Sequence, residues 1–390
     1  MKHLIIRNVG PVRQADLSLK RVNMIIGPQS SGKSTVLKVA AFCSWMERQI
    51  QLTQNPQRFC DYDTFVNNLV NFNKLQGYLG SDSWISYEND SIAFTFSVAE
   101  RRCSFRWIES QRWHYRRSKI AYIPSDRNLV ATISNWYQIS MPNDLMLNFM
   151  KEWEFARKAF AGGIKILDLP VEYRYNADSQ SDSVLLETGR ELDLTLASSG
   201  VRSLTPMFIL LHYFTNEYFG KSVTSVEHEM LTARLAEVVA RECSGMSSEQ
   251  QRLVVEYFMQ AQYADLYIEE PEAHIFPSTQ LQLVYTLAEM LNSPRRHSCF
   301  ISTHSPYILT AFNNLLYAAE IAGCEPHNAA KVAEIIPTCR QISANEVAAF
   351  EISNGTVKSI IDEEYQLISA DAIDNASQRI AEDFDRIQSI

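Results

Sequence analysis

Gly27-Pro-Gln-Ser-Ser-Gly-Lys-Ser34 has the glycine and lysine spacing of a loop that wraps a nucleotide's phosphates. Gly27 and Gly32 permit backbone angles and a close approach that a Cβ would block, so successive N–H groups converge on phosphate oxygens at the positive end of a helix. Pro28, Gln29, Ser30, Ser31 and Thr35 complete the expected cradle. Lys33 is expected to reach the β- and γ-phosphates, and the Ser34 hydroxyl to take one position on Mg²⁺.

Three further segments carry chemistry. Ala264-Asp-Leu-Tyr-Ile-Glu-Glu-Pro-Glu-Ala-His274 is an apolar run ending in adjacent carboxylates, which puts both at the carboxyl edge of a sheet, where ligands bind in open α/β folds. Glu269 would face Mg²⁺ directly or through water, and Glu270 would orient and deprotonate the attacking water. Read alone, the same pair simply opens a solvated turn before Pro271. Cys299-Phe-Ile-Ser-Thr-His-Ser-Pro306 runs from an apolar strand into His304, whose imidazole is suited to bond a γ-phosphate or hold the water. Leu194-Thr-Leu-Ala-Ser-Ser-Gly-Val-Arg-Ser-Leu204 reads as a strand entering a turn at Ser198, Ser199 and Gly200 that opens a helix. That is either a second anion site or a plain capping turn.

The surrounding pattern supplies the elements these residues need. Arg21–Ile26 is a β-branched run fit for a buried strand, and Ser34–Glu47 has helical spacing of apolar residues. Residues 1–26 read as strands with a turn at Gly10-Pro11, 51–82 as irregular helix and loop, and 84–124 as several short strands. Helix returns over 128–163, strands over 171–196, helix over 203–262, then a strand, a helix and another strand at Ser298–Ser302. Interleaved helix and strand imply an α/β fold with a mixed sheet, flanking antiparallel strands and a helical insertion. The expected core covers 1–127, 171–204 and 263–390, with helical insertions at 128–170 and 205–262. At 390 residues, 46% hydrophobic and 21% charged, the chain buries a full core. It has no apolar run of membrane-spanning length and meets Arg7 too early for a secretory leader, so a cytoplasmic location is expected. The seven cysteines follow no metal-ligand spacing. A net charge of −9 opposes nonspecific nucleic-acid binding by the whole surface while leaving room for a local basic patch.

Taken together, these segments resemble ABC-type P-loop ATPases of the branch that includes RecF-like, SMC-like and OLD-family proteins. Gly27–Ser34 matches the Walker A loop, Leu266–Glu270 the Walker B strand with glutamate in place of the usual aspartate, and His304 the switch histidine. Ala197-Ser-Ser-Gly-Val201 resembles the signature motif, departing from Leu-Ser-Gly-Gly-Gln at Ala197, Ser199 and Val201. Glu269–His274 followed by Pro277 is close to the OLD-like wording. The resemblance implies ATP and Mg²⁺ as cofactors and hydrolysis to ADP and phosphate. It also implies homodimers or higher oligomers packed head to tail, with Ser198 and Gly200 closing on the other subunit's γ-phosphate.

Departures narrow the choice. No heptad arm lies between Ser34 and Ser198, and no Asp-x-Asp follows His304 until Asp383-Phe-Asp385, too late to begin a Toprim nuclease domain. The interval from Gly200 to Glu269 is longer than transporter motors use. The nearest family picture is the ATPase subunit of bacterial anti-phage systems of PARIS or Septu type, in which ATP-driven assembly controls a separate nuclease or toxin. The alternative is a RecF-like DNA-binding ATPase of repair or recombination. Its support is Arg101–Lys119, with seven basic residues against one acid and interleaved Trp107, Trp113 and Tyr115. A solvated hairpin face accounts for the same pattern. Arg127, in a Tyr122-Ile-Pro-Ser-Asp-Arg-Asn128 segment, would either touch phosphate or pair with Asp126 or another acid. The acidic tail from Asp362 to Ile390 reads as a terminal helix packed through Ile373, Ile380, Phe384 and Ile387.

Overall fold

The computed structural model describes residues 2–220, 226–362, 364–369 and 385–388. Three strands open the chain: β1 (Lys2–Val9), β2 (Val12–Leu19) and β3 (Val22–Ile26). Helices α1 (Lys33–Thr53), α2 (Pro56–Phe59) and α3 (Tyr62–Asn73) follow. Next come β4 (Leu79–Glu88), β5 (Ile92–Ser97), β6 (Arg102–Trp107) and β7 (Ser118–Ile123), then α4 (Leu129–Thr132) and α5 (Leu145–Arg157). A small group of strands comprises β8 (Ile164–Lys165), β9 (Val171–Asn176), β10 (Ser181–Leu186) and β11 (Glu191–Asp193). Helices α6 (Ser199–Thr215), α7 (Val226–Glu242) and α8 (Ser248–Met259) lead to β12 (Tyr263–Glu269). The chain continues through α9 (Pro277–Leu291), β13 (Ser298–Thr303), α10 (Pro306–Cys324), α11 (Pro326–Ile335), β14 (Val347–Ser353) and β15 (Thr356–Ser359).

An eleven-stranded sheet runs in the order β6-β5-β4-β1-β2-β15-β14-β3-β13-β12-β7. Its right-hand part, β14-β3-β13-β12-β7, is parallel, and β1, β2, β4, β5 and β6 pair antiparallel beside it. The histidine-bearing β13 therefore lies between the strand that feeds the phosphate loop and the strand that ends in glutamates. Strands buried on both faces lose the polar alternation of a one-sided sheet. Met24, Ile26, Leu266, Ile268 and Ile301 face one core with α6, α9 and α10, while Ile25, Tyr267 and Phe300 face another with α1, α3 and β1.

Several expectations change. Residues 51–82 hold two true helices, because the side chains of Asn55 and Asp61 cap them by accepting from the backbone N–H of Arg58 and Thr64. Leu194–Leu196 is a 3₁₀ turn rather than strand: Asp193 Oδ1 accepts from both the N–H and the hydroxyl of Thr195, which bends the chain. Helix α6 crosses 204–205 unbroken, with Leu204 and Met207–Leu211 in the main core, so the separate helical part begins after it. There α7 and α8 form their own small core, in which Leu235, Val239, Val255 and Phe258 meet Leu52 and Tyr115. Strands β8–β11 make a second, four-stranded antiparallel sheet. Most of the tail expected to form a helix lies outside the described residues, and its Ile387 is exposed.

Candidate functional site

The phosphate loop leaves β3 directly and enters α1. Gly32, at φ +112°, caps that helix, and a Cβ there would meet Val12 Cγ2 at 2.8 Å. A Cβ on Gly27 would meet the Ile352 carbonyl oxygen at 2.3 Å, so β14 presses against the loop's first turn. Pro28, Gln29 and Ser30 are exposed, Ser34 is half-buried and Thr35 is buried. The buried Lys33 ammonium donates to the carbonyls of Gly27 (2.9 Å) and Pro28 (2.8 Å). Burial pulls its pKa below the ordinary lysine value, against the charges of Glu270 and Glu272, which raise it. Ser31 Oγ is buried with no hydrogen-bond partner, a donor that a phosphate oxygen would satisfy.

Glu269 is buried at the end of β12, where one carboxylate oxygen accepts from Tyr122 Oη (2.5 Å) and the other from the Ser125 N–H (3.1 Å). These donors fix the carboxylate while leaving lone pairs on both oxygens. At Glu270 the backbone turns into the left-handed region, φ +44°, and its N–H donates to the Ser302 carbonyl at 2.8 Å. A non-glycine residue there carries about 1–3 kcal/mol of strain. The turn brings Glu270 Oε1 to 3.1 Å from His304 Nε2, which donates to it. Glu272, part of the same acidic run but given no role above, accepts from the His304 backbone N–H through Oε1 (2.6 Å), while its Oε2 is buried and unpaired. Its signal in the sequence was the third carboxylate after Pro271. Lys33, Glu270, Glu272 and His304 thus converge at the carboxyl edge of β3, β13 and β12.

Arg127 does neither thing expected of it. It is fully buried and reaches backbone: Nη1 donates to the Glu269 carbonyl (2.8 Å), Nη2 to that of Glu270 (2.8 Å) and Nε to that of Ser203 (3.1 Å). Longer contacts run to Pro124 (3.3 Å) and Pro271 (3.5 Å). One guanidinium therefore ties the strained turn of β12 to the first turns of α6. Burial lowers its pKa to about 10, opposed by the field of Glu272, Glu270, Glu269 and Asp126. Ser203 Oγ adds a bond to the Ala273 carbonyl (2.9 Å).

The turn at 197–201 sits apart from the loop in its bonding. Ser198 caps α6 through a 3.4 Å bond from the Val201 N–H, and both Ser198 and Ser199 are exposed. Gly200 faces the His274 carbonyl, which a Cβ would approach to 3.0 Å. The apolar side chains beside this turn, Leu196 and Phe276, are 74% and 75% exposed.

The basic segment is engaged within the chain. Arg112 stacks on Trp107 (4.4 Å) and pairs with Glu242 of α7 (2.8 Å), Arg116 lies over Tyr263 (5.3 Å), and Arg117 donates to the Met259 carbonyl. Arg101 pairs with Asp63 (3.6 Å), Arg106 with Glu88 (3.0 Å) and Lys119 with Glu152 (2.5 Å). Much of this basic and aromatic run thereby anchors the α7–α8 pair.

A family description, AAA ATPase domain, matches residues 245–309, a span holding β12, the three glutamates and His304. No curated protein matches the sequence. Among solved structures, the SMC head domain from Thermotoga maritima overlaps 92% of this chain and 97% of its own, with 10% identity and a TM-score of 0.39. A recombination mediator RecF overlaps 92% and 97%, with 11% identity and a TM-score of 0.30. A dimeric ATP-binding cassette bound to ADP and Pi overlaps 91% and 96%, with 12% identity and a TM-score of 0.31. The chain's own strand order defines an α/β fold, a mixed sheet with a parallel part and flanking antiparallel strands, with the glycine-rich loop between β3 and α1. Among the described residues, no helix is long and apolar enough to cross a membrane.

Proposed function

We propose that this chain is an ABC-type ATPase whose ATP site is completed by a second copy. The observation that carries the reading is the convergence of Lys33, Glu270 and His304 at one sheet edge, with Glu270 held in a strained backbone conformation facing His304. Gly27 to Thr35 would cradle the phosphates, with Ser31 Oγ finding its missing partner there. Ser34 and Glu269 would hold Mg²⁺, which supplies charge neutralisation on the β- and γ-oxygens. Glu270 would take a proton from the attacking water, and His304 would orient that carboxylate. Ser198 and Ser199, exposed, and Gly200, half-buried, at the N-terminus of the 17-residue α6 and flanked by Leu196 and Phe276, suit contact with another subunit's γ-phosphate.

The output of this cycle is the control of a separate nuclease or toxin in anti-phage defence. Supporting it is the α7–α8 pair, which has a small core of its own against Leu52 and Tyr115 and offers a surface for a partner. The alternative, a RecF-like DNA-binding ATPase, rests on the arginines of 101–119, of which Arg101, Arg102, Arg106 and Arg116 are exposed while Arg112 and Arg117 bond to the α7–α8 pair.

Steady-state ATP turnover by the wild-type chain and by Glu270→Gln tests the site. The variant should bind ATP with unchanged affinity and hydrolyse it at least about 100-fold more slowly. Hydrolysis at the wild-type rate would remove Glu270 from its role. Purification of the Glu270→Gln protein with ATP from its native host should bring down a nuclease or toxin, and its reproducible absence refutes the effector reading.

A further inference from the structure

A cavity of about 340 Å³ lies between α1, α3, α5 and the edge strand β7, away from the phosphate loop. Its walls combine three chemistries. Phe42 and Trp45 of α1 present rings stacked at 5.8 Å and 25°, with Phe72 of α3 across from them. Arg48, one helical turn beyond Trp45, lines the cavity and has neither an ion-pair nor a hydrogen-bond partner among the described residues. Burial pulls its pKa below the ordinary arginine value. The Asn68 and Asn148 carboxamides also line the space without a side-chain partner among the described residues. Glu152, 9% exposed and paired through Oε1 with Lys119, keeps Oε2 buried and unbonded.

A buried polar atom without a partner is rare in native proteins, and Glu152 Oε2, set around one cavity with the half-buried Arg48, Asn68 and Asn148, calls for a complementary molecule. Arg48 asks for an anion, and a guanidinium fork suits a phosphate. Glu152 Oε2 asks for an N–H donor, the two carboxamides accept and donate along a planar edge, and the aromatic rings offer a stacking face. We infer that this cavity is a second nucleotide site, taking a nucleoside monophosphate whose base carries an amino group. The base would lie along Trp45 and Phe42 with its amino group toward Glu152, and the phosphate would meet Arg48. Tyr122, which holds Glu269, forms part of the same wall, so an occupant would touch the strand that positions the proposed metal ligand.

Isothermal titration with AMP, GMP, CMP and UMP, and with inorganic phosphate, tests the inference on the full chain and on Lys33→Ala, which disables the phosphate loop. At least one amino-bearing monophosphate should bind saturably to both proteins, more tightly than UMP. Affinity should fall at least tenfold in Arg48→Met and in Asn148→Leu, which projects bulk into the cavity. Should Arg48→Met fail to fold, Asn148→Leu decides alone. Absence of saturable binding up to millimolar monophosphate overturns the site, as does binding lost in Lys33→Ala and kept in Asn148→Leu. Equal binding of inorganic phosphate overturns the base-recognition part and with it the ligand class.

Discussion

Replacing Arg127 by methionine removes the donors that hold the Glu270 turn to α6. Three short bonds, to the carbonyls of Glu269, Glu270 and Ser203, are charge-assisted and contribute about 2 kcal/mol each. Against that sum stands the net cost of holding the guanidinium charged there, burial less the attraction of the nearby carboxylates, whose fall in pKa to about 10 corresponds to about 3 kcal/mol. The net loss is then about 3 kcal/mol, within the usual range for removing one member of a buried charged network. Methionine fills similar space, so the lost bonds rather than a void dominate. Urea unfolding followed by circular dichroism reads this directly as a lower midpoint at constant slope. The same change should release Glu270 from φ +44° and lower the ATP turnover number at least tenfold in the fraction still folded. Arg127→Lys keeps the charge but offers a single nitrogen, which cannot span three carbonyls, so it should fall between the two. A loss below about 1 kcal/mol, or unchanged turnover in a folded Arg127→Met protein, refutes the clamp.

His297 is fully buried, accepts from the Ala264 N–H at Nδ1 (2.8 Å) and donates from Nε2 to the Thr215 carbonyl (3.1 Å), and burial lowers its pKa from 6.5 to about 4. Because the unfolded chain binds the proton first, stability should fall as pH drops from about 6.5 to about 4, by about 3 kcal/mol in total, and urea midpoints for wild type and His297→Gln should converge at acid pH. Gly32→Ala should abolish ATP binding or weaken it more than tenfold, since φ +112° and the 2.8 Å approach to Val12 both oppose a Cβ; a fluorescent ATP-analogue titration checks it, and wild-type affinity would contradict the loop assignment. Ser198→Arg should lose turnover alone and regain part of it when mixed with Lys33→Ala, which leaves one composite site intact. Failure of that rescue argues against sharing of sites between copies.

The parts of the site that were legible in the sequence are those whose chemistry is local. The roles proposed for Gly27, Gly32 and Lys33 rest on their own backbone freedom and reach, and Glu269 and Glu270 stand out by ending an apolar strand. Arg127 was illegible because its partners are main-chain carbonyls, which every residue carries, brought to it from β12 and α6. Glu272 was hidden for a related reason: its bond is to the backbone of His304, on another strand's end. The basic segment misled because arginine composition cannot say whether the facing acids, such as Glu242 and Glu152, belong to the same chain. Leu194–Leu196 has the residue types of a strand, and one side chain, Asp193, overrides them by capping a turn.

Strand β3 has a consequence for how the molecule is made. Both of its sheet neighbours, β13 and β14, are synthesised long after it, so this strand, apolar but for Asn23, leaves the ribosome with no partner on either edge. The central part of the parallel half of the sheet cannot close until Val347–Ser353 has emerged, which makes its assembly late and dominated by contacts distant in the chain. During that interval Val22–Ile26 is an exposed adhesive edge, and the protein's yield in a cell should depend on chaperone capacity more than its final packing suggests.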